Sequence, residues 1–205
     1  MAIVNSVAIG SGSGKLGEMG LSTNAGRTIA RKYQDKVANP QSPAQVSQRN
    51  RMANVVLIYL YFATALTGAF KGRKKTESVY NAFVRHNVKF MHDEKKEDAA
   101  QALDGIEKIV IGDGSLGMIT GERDNDDYTV DFSGIKHLLK PDDKLTVICA
   151  GVHSAIPLTQ KLTAADIAAG TVTVDTAAVG NGVAAYITTA NGQKSSNFEF
   201  VFVNE

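Results

Sequence analysis

The stretch MANVVLIYLYFATALTGAF, residues 52–70, decides how the rest of the chain is read. It is nineteen almost continuously apolar residues with basic residues on both sides, a length that just crosses a bilayer. Asn54, Thr64, Thr67 and Gly68 interrupt it, however. Tyr59 and Tyr61 also lie in its middle, not at its ends, where a membrane-interface belt would put them. The stretch therefore reads as a helix buried on most sides, by neighbouring elements or by other subunits.

Working outward, Asn39-Pro40 marks a turn. Ser42 then offers an N-cap, with Pro43 at the first helical position, where its missing N–H costs nothing. The long helix is expected from Pro43 to about Phe70, with polar first turns (AQVSQRNR). The basic run KGRKK, 71–75, ends it. Thr76 can cap a second helix, ESVYNAFVRHNVKFM, with Val79, Phe83 and Phe90 on its buried stripe and Tyr80 and Val84 beside them. DEKKEDAAQALDG is a third, short, polar helix or an ordered loop ending at Gly105.

From Ile106 the periodicity changes. Seven short runs follow: IEKIVI, YTVDF, KLTVICAGV, AIPLTQKL, TVTVD, VAAYITTA and NFEFVFV. They are enriched in β-branched and aromatic residues and mostly separated by Gly, Asn, Asp and Pro, the pattern of a small immunoglobulin-like sandwich. TAADIAAG, 163–170, is the exception and suits one capped helical turn. On the N-terminal side, residues 1–13 read as an unstructured or extended arm. Residues 14–36 read as a two-stranded ribbon turning at Asn24-Ala25-Gly26, with Ile29, Arg31 and Tyr33 on one side and Thr28, Ala30 and Lys32 on the other. The expected fold is α+β: an arm and β-ribbon (1–36), a helical region (37–105) and a C-terminal immunoglobulin-like β-sandwich (106–205).

The composition is that of an ordinary globular chain, 43% hydrophobic and 21% charged. Cys149 is the only cysteine, so no disulfide closes within the chain, in keeping with a reducing compartment. The N-terminus has neither a basic n-region nor a long apolar core, so no signal peptide is expected. The formal net charge of +1 hides a division. Residues 1–91 carry 13 Lys and Arg against three acids, and residues 92–205 carry 9 against 18. That split implies an anionic partner for the first half, or one copy's basic part meeting another's acidic part.

Catalytic chemistry finds little support. IGSGSGKLG, 9–17, looks like a phosphate cradle, but Ile9 stands where the loop needs its first glycine and Leu16 where it needs a hydroxyl. His86, His92, His137 and His153 are scattered, with no i+3 or i+4 metal pair. Cys149 sits in a strand that reads as buried, where a thiol is inert, and no G-x-S-x-G elbow occurs. The run ERDNDDYTVD, with Asp124, Asp126 and Asp127, lacks the order of an EF-hand and reads as a solvated loop. The basic set is more informative: Arg27, Arg31, Lys32, Arg49, Arg51, Arg73, Lys74 and Lys75 are the candidate contacts to an anionic partner. Nothing among them reads base sequence, so nucleic-acid binding through them would be non-specific and salt-sensitive. The alternative is that they meet acidic surfaces of neighbouring subunits.

Five motifs occur in order: GKLG (14–17), NPQSPAQVSQR (39–49), YNAFVRHN (80–87), IVIGDGSL (109–116) and AYITTANGQKSSNFEFV (185–201). With these the chain resembles a family of uncharacterised proteins common in Bacteroidetes and in the phages that infect them. It departs from the usual pattern at Leu16, where valine is commoner, and at Ser42, where a cap-like threonine is usual. The family brings no established activity, so no catalytic residue carries over. The resemblance implies a phage virion component, assembled in the host cytoplasm, whose partners are copies of itself and other virion proteins. No enzyme activity, cofactor, metal, small-molecule substrate or membrane is expected. A non-specific nucleic-acid-binding or packaging-associated role is the alternative.

Overall fold

The computed structural model describes residues 2–4, 12–24, 26–34, 36, 38–124, 127–151, 153–179 and 182–201. The chain divides into two compact units, Met1–Ser42 and Pro43–Glu205. Together they make a mixed α+β protein with small antiparallel sheets and, among the described residues, four α-helices.

The first unit is a sheet of four strands, β1 (Ala2–Val4), β2 (Gly14–Leu16), β3 (Met19–Asn24) and β4 (Arg27–Lys32), in the order β1-β4-β3-β2. The two-stranded ribbon expected here is therefore too small. Gly17, at φ 57°, folds the first expected strand back on itself as the β2–β3 hairpin, a left-handed position that suits glycine. Ala2–Val4, in the arm expected to be unstructured or extended, is a strand paired with β4 from Ala2↔Ala30 to Val4↔Thr28. Ala25 of the expected turn and residues 5–11 of the arm lie outside the described residues. Thr28 is the unit's only buried residue among the described side chains, so this sheet has almost no core of its own.

In the second unit helix α1 (Pro43–Phe62) stops eight residues before the expected end. Residues 63–69 continue as tight turns: Thr64 Oγ1 donates to Ala155 O at 3.1 Å, and Thr67 Oγ1 turns back to Thr64 O. Gly68 passes so near Tyr186 that a Cβ there would sit 3.0 Å from the ring. A helix would carry these residues away from the strands they pack against. Among the described residues no helix is long and apolar enough to cross a membrane. Asn54, the polar residue inside the apolar run, is fully buried and pins the 92–96 loop. Its amide donates to His92 O and Glu94 O, and its oxygen accepts from Lys96 N–H.

Helix α2 (Val79–Asn87) is capped by Ser78, whose hydroxyl takes the Asn81 N–H, two residues later than the Thr76 cap expected. Helix α3 (Ala99–Leu103) is capped by Asp98. Helix α4 (Ala164–Ala169) carries a reciprocal capping box between Thr163 and Asp166 and ends on left-handed Gly170.

The strands are β5 (Lys108–Gly112), β6 (Thr120–Asp124), β7 (Asp127–Asp131), β8 (Lys144–Cys149), β9 (Ile156–Lys161), β10 (Thr171–Asp175), β11 (Gly182–Thr188) and β12 (Phe198–Val201). They form the sheets β10-β7-β6, β11-β8-β9 and β12-β5. Strand β6 was not expected, because it is polar and, apart from half-buried Gly121, exposed throughout. One hydrophobic core joins the helical and strand regions. Val55, Ile58, Phe62, Leu66, Phe70 and Phe83 belong to the same cluster as Ile109, Val130, Leu145, Ile148, Ile187 and Phe198.

Candidate functional site

The basic residues separate once placed on the fold. In the first unit the ladder sets Lys15, Gly20 and Arg31 level across three strands. Side chains alternate along a strand, so Arg27, Ile29, Arg31 and Tyr33 share that face with Lys15. Lys15 Nζ lies 4.1 Å from the centre of the Tyr33 ring, a cation–π contact that agrees with this assignment. Gly20 has no side chain between the two cations, and the stem of Arg31 lies 3.8 Å from where its Cβ would be. Lys32 belongs to the opposite face, level with exposed Met19 and Leu16. Glu18, in the β2–β3 turn, is the one acid among the unit's described residues.

In the second unit two of the candidate cations are held by the fold itself. Arg51 pairs with Asp93, which also accepts from Ser47 Oγ at 2.7 Å. These two bonds hold the Asp93 carboxyl below the usual range, Arg51 contributing most. Arg73 donates to Phe70 O at 2.7 Å and to Glu77 O at 3.0 Å, bracing the turn after the apolar run. Glu77 is in turn gripped by Arg85, at 2.9 and 3.2 Å, which lowers its pKa. Arg49, Lys74 and Lys75 are exposed. Part of the division between a basic first half and an acidic second half is thus settled inside the chain, at Arg51–Asp93 and Arg85–Asp113.

The face of α1 turned away from the core is mostly apolar, with Arg49 the one charge in it. Val46, Arg49, Ala53, Val56 and Leu60 follow one another at steps of three and four, the spacing of a helix–helix seam. Leu60 is 63% exposed and Val46 37%.

Ser195, His86 and Asp113, an apparent triad by residue type, meet in space but not in catalytic order. His86 Nε2 is 3.1 Å from Asp113 Oδ2. The buried Ser195 hydroxyl instead donates to Ala69 O at 3.0 Å and accepts from Lys71 N–H at 3.2 Å. These contacts belong to a close-packed junction in which the GDG of 112–114 lies against Ser195 and Ser196, with the Gly114 N–H on Asn197 Oδ1. Burial raises the pKa of Cys149, so its thiol stays protonated. Asp124 and Asp127 face each other at the end of the β6–β7 hairpin, while Asp126 lies outside the described residues. Among the described residues no group of three or more His, Cys, Asp or Glu could hold a metal. A cavity of about 120 Å³ between Phe62, Leu103, Ile109, Ile111 and Val183 is lined almost wholly by carbon and offers nothing to orient a reacting group.

In class this is a mixed α+β protein whose distinctive surfaces are a basic sheet face and an apolar helix face. No family model matches the chain, and no curated protein and no solved structure matches it.

Proposed function

We propose that the chain is a non-enzymatic structural subunit of a phage virion, in a neck or tail ring or on the capsid surface. It works by oligomerising, with no turnover. The observation that carries this reading is the outward apolar stripe of α1, with Leu60 63% exposed, at the spacing a second helix would meet. A virion neighbour covering that stripe gains the burial the isolated chain lacks. The near-coreless sheet of residues 1–42 supports the same reading, as a part that gains by reaching onto a neighbour. So does the resemblance to proteins of Bacteroidetes and their phages. An immunoglobulin-like arrangement of the strands from β5 to β12 is the finer fold we assign to the outward-facing part.

Light scattering of the full chain at high concentration tests this. Assembly is expected for the wild type, and weaker assembly for Leu60→Glu. A wild type that stays monomeric at every concentration, together with absence from purified particles, would refute it.

A second reading, non-specific nucleic-acid binding, is favoured by the alignment of Arg27, Arg31 and Lys15 beside Tyr33 on one face. A gel-shift series across salt should then lose binding in Arg27→Ala/Arg31→Ala.

A further inference from the structure

The sheet β10-β7-β6 has one buried side and one open side. On its buried side lie Tyr128, Val130, Val172 and Val174. Its open side is fixed by register. Asp175, Asp127 and Asp124 stand level across the three strands, followed by Thr173, Thr129 and Glu122, then Thr171, Asp131 and Thr120. None of these nine residues is buried, and the Thr129 and Thr173 hydroxyls touch at 2.9 Å, as same-face neighbours should. The nine positions hold five carboxylates, four threonines and no cation. Two of these carboxylates also accept main-chain N–H groups, Asp131 from Ser133 and Asp175 from Ala177, and all five stand on the open side.

The first unit carries the complement. Its four-stranded sheet presents Lys15, Arg27 and Arg31 on one face, with the Tyr33 ring beneath Lys15. That unit is nearly coreless. We propose that the basic face of residues 14–33 in one copy docks on the acidic open face of β10-β7-β6 in a second copy. This inference rests on the assembly reading above and names its contact.

Each copy offers one face of each kind, so the contact is head-to-tail and extends into a ring or a filament. Charge complementarity of this kind sets orientation and association rate, and it weakens as salt shortens the reach of the charges. Nucleic acid is the competing occupant of the basic face. The acidic lattice, which no polyanion would cover, favours a second copy.

The test uses the full chain and two variants, Arg27→Glu/Arg31→Glu and Glu122→Lys/Asp127→Lys, with melting curves to verify folding. Sedimentation velocity is run at roughly 50 mM and roughly 500 mM salt. The wild type is expected to assemble at low salt and weaken at high salt. Each variant alone should associate roughly tenfold to a hundredfold less tightly. Mixed in equal amounts, the two variants hold one native pair of faces and one charge-swapped pair, so association should return in the mixture.

Variants that assemble as well as the wild type would overturn this contact and leave the assembly reading standing. Variants that stay monomeric when mixed, while the wild type assembles, would also overturn it. A wild type monomeric at both salts would remove both ideas. If that monomer bound a labelled oligo-dT, and Arg27→Glu/Arg31→Glu did not, the occupant would be nucleic acid.

Discussion

Tyr128 offers a test of the core in which the sign of the answer matters more than its size. Its side chain is buried beneath the β10-β7-β6 sheet, fitted between two glycines. A Cβ on Gly121 would lie 2.4 Å from its hydroxyl, and one on Gly182 would lie 2.6 Å from its ring. Among the described residues that hydroxyl has no hydrogen-bond partner. A buried polar group left unpaired costs about 1–3 kcal/mol. Tyr128→Phe keeps the ring and removes the cost, so the second unit is expected to gain about 1 kcal/mol. For a unit of this size that raises the melting temperature by roughly 2–4 °C.

Tyr186→Phe is the matched control. That hydroxyl is equally buried but donates to Ala65 O at 2.8 Å, so its loss should cost about 1 kcal/mol. Urea unfolding followed by circular dichroism reads both variants. The midpoints should move in opposite directions with unchanged slope. If Tyr128→Phe falls as far as Tyr186→Phe, the hydroxyl is bonded in solution and the reasoning fails.

Three further outcomes are expected. Gly114→Ala would put a Cβ 1.9 Å from Ser195 O, a main-chain atom that cannot swing away, so the junction must open. Expression and melting should show a loss of more than about 3 kcal/mol. Asn87→Ala removes the buried amide that bonds both the N–H and the C=O of Val110 and ties α2 to β5. A loss of about 2–4 kcal/mol in denaturant unfolding is expected. Finally, burial raises the pKa of the Tyr128 and Tyr186 phenols in the fold. Their contribution is fully present below about pH 10, the unfolded value, and is lost above it, at up to about 1.4 kcal/mol per pH unit for each phenol. Tyr128→Phe should flatten that alkaline decline in stability measured against pH.

The elements whose cause is local were legible in the chain itself. The Thr163–Asp166 capping box and the Ser42-Pro43 helix start depend on neighbours a few residues away. Seven strands from β5 onward announced themselves by β-branched runs. Strand β6 did not, because an edge strand with its polar side chains in water has no apolar alternation to detect. The end of α1 was hidden for a different reason. It is set by Ala155 and Tyr186, far away in sequence. The candidate site divides likewise. The basic residues were visible in composition, but Arg51 and Arg73 find internal acceptors that spacing does not reveal. The acidic run 122–131 has the composition of a loop, and only strand register turns it into one side of a lattice.

The closing pair of strands has a consequence for how the protein is made. Strand β5 pairs with β12, and the Ser195 hydroxyl bonds Ala69 O across 126 residues of chain. The ribosome therefore releases the apolar α1 long before the segments that complete its surroundings exist. Roughly 140 residues separate Phe62 from Val201, which at about 5–20 residues per second is roughly 7–28 seconds of synthesis. During that interval the most hydrophobic helix of the chain is a nascent-chain hazard. Truncation anywhere before Phe198 should leave a product that chaperones hold or proteases remove.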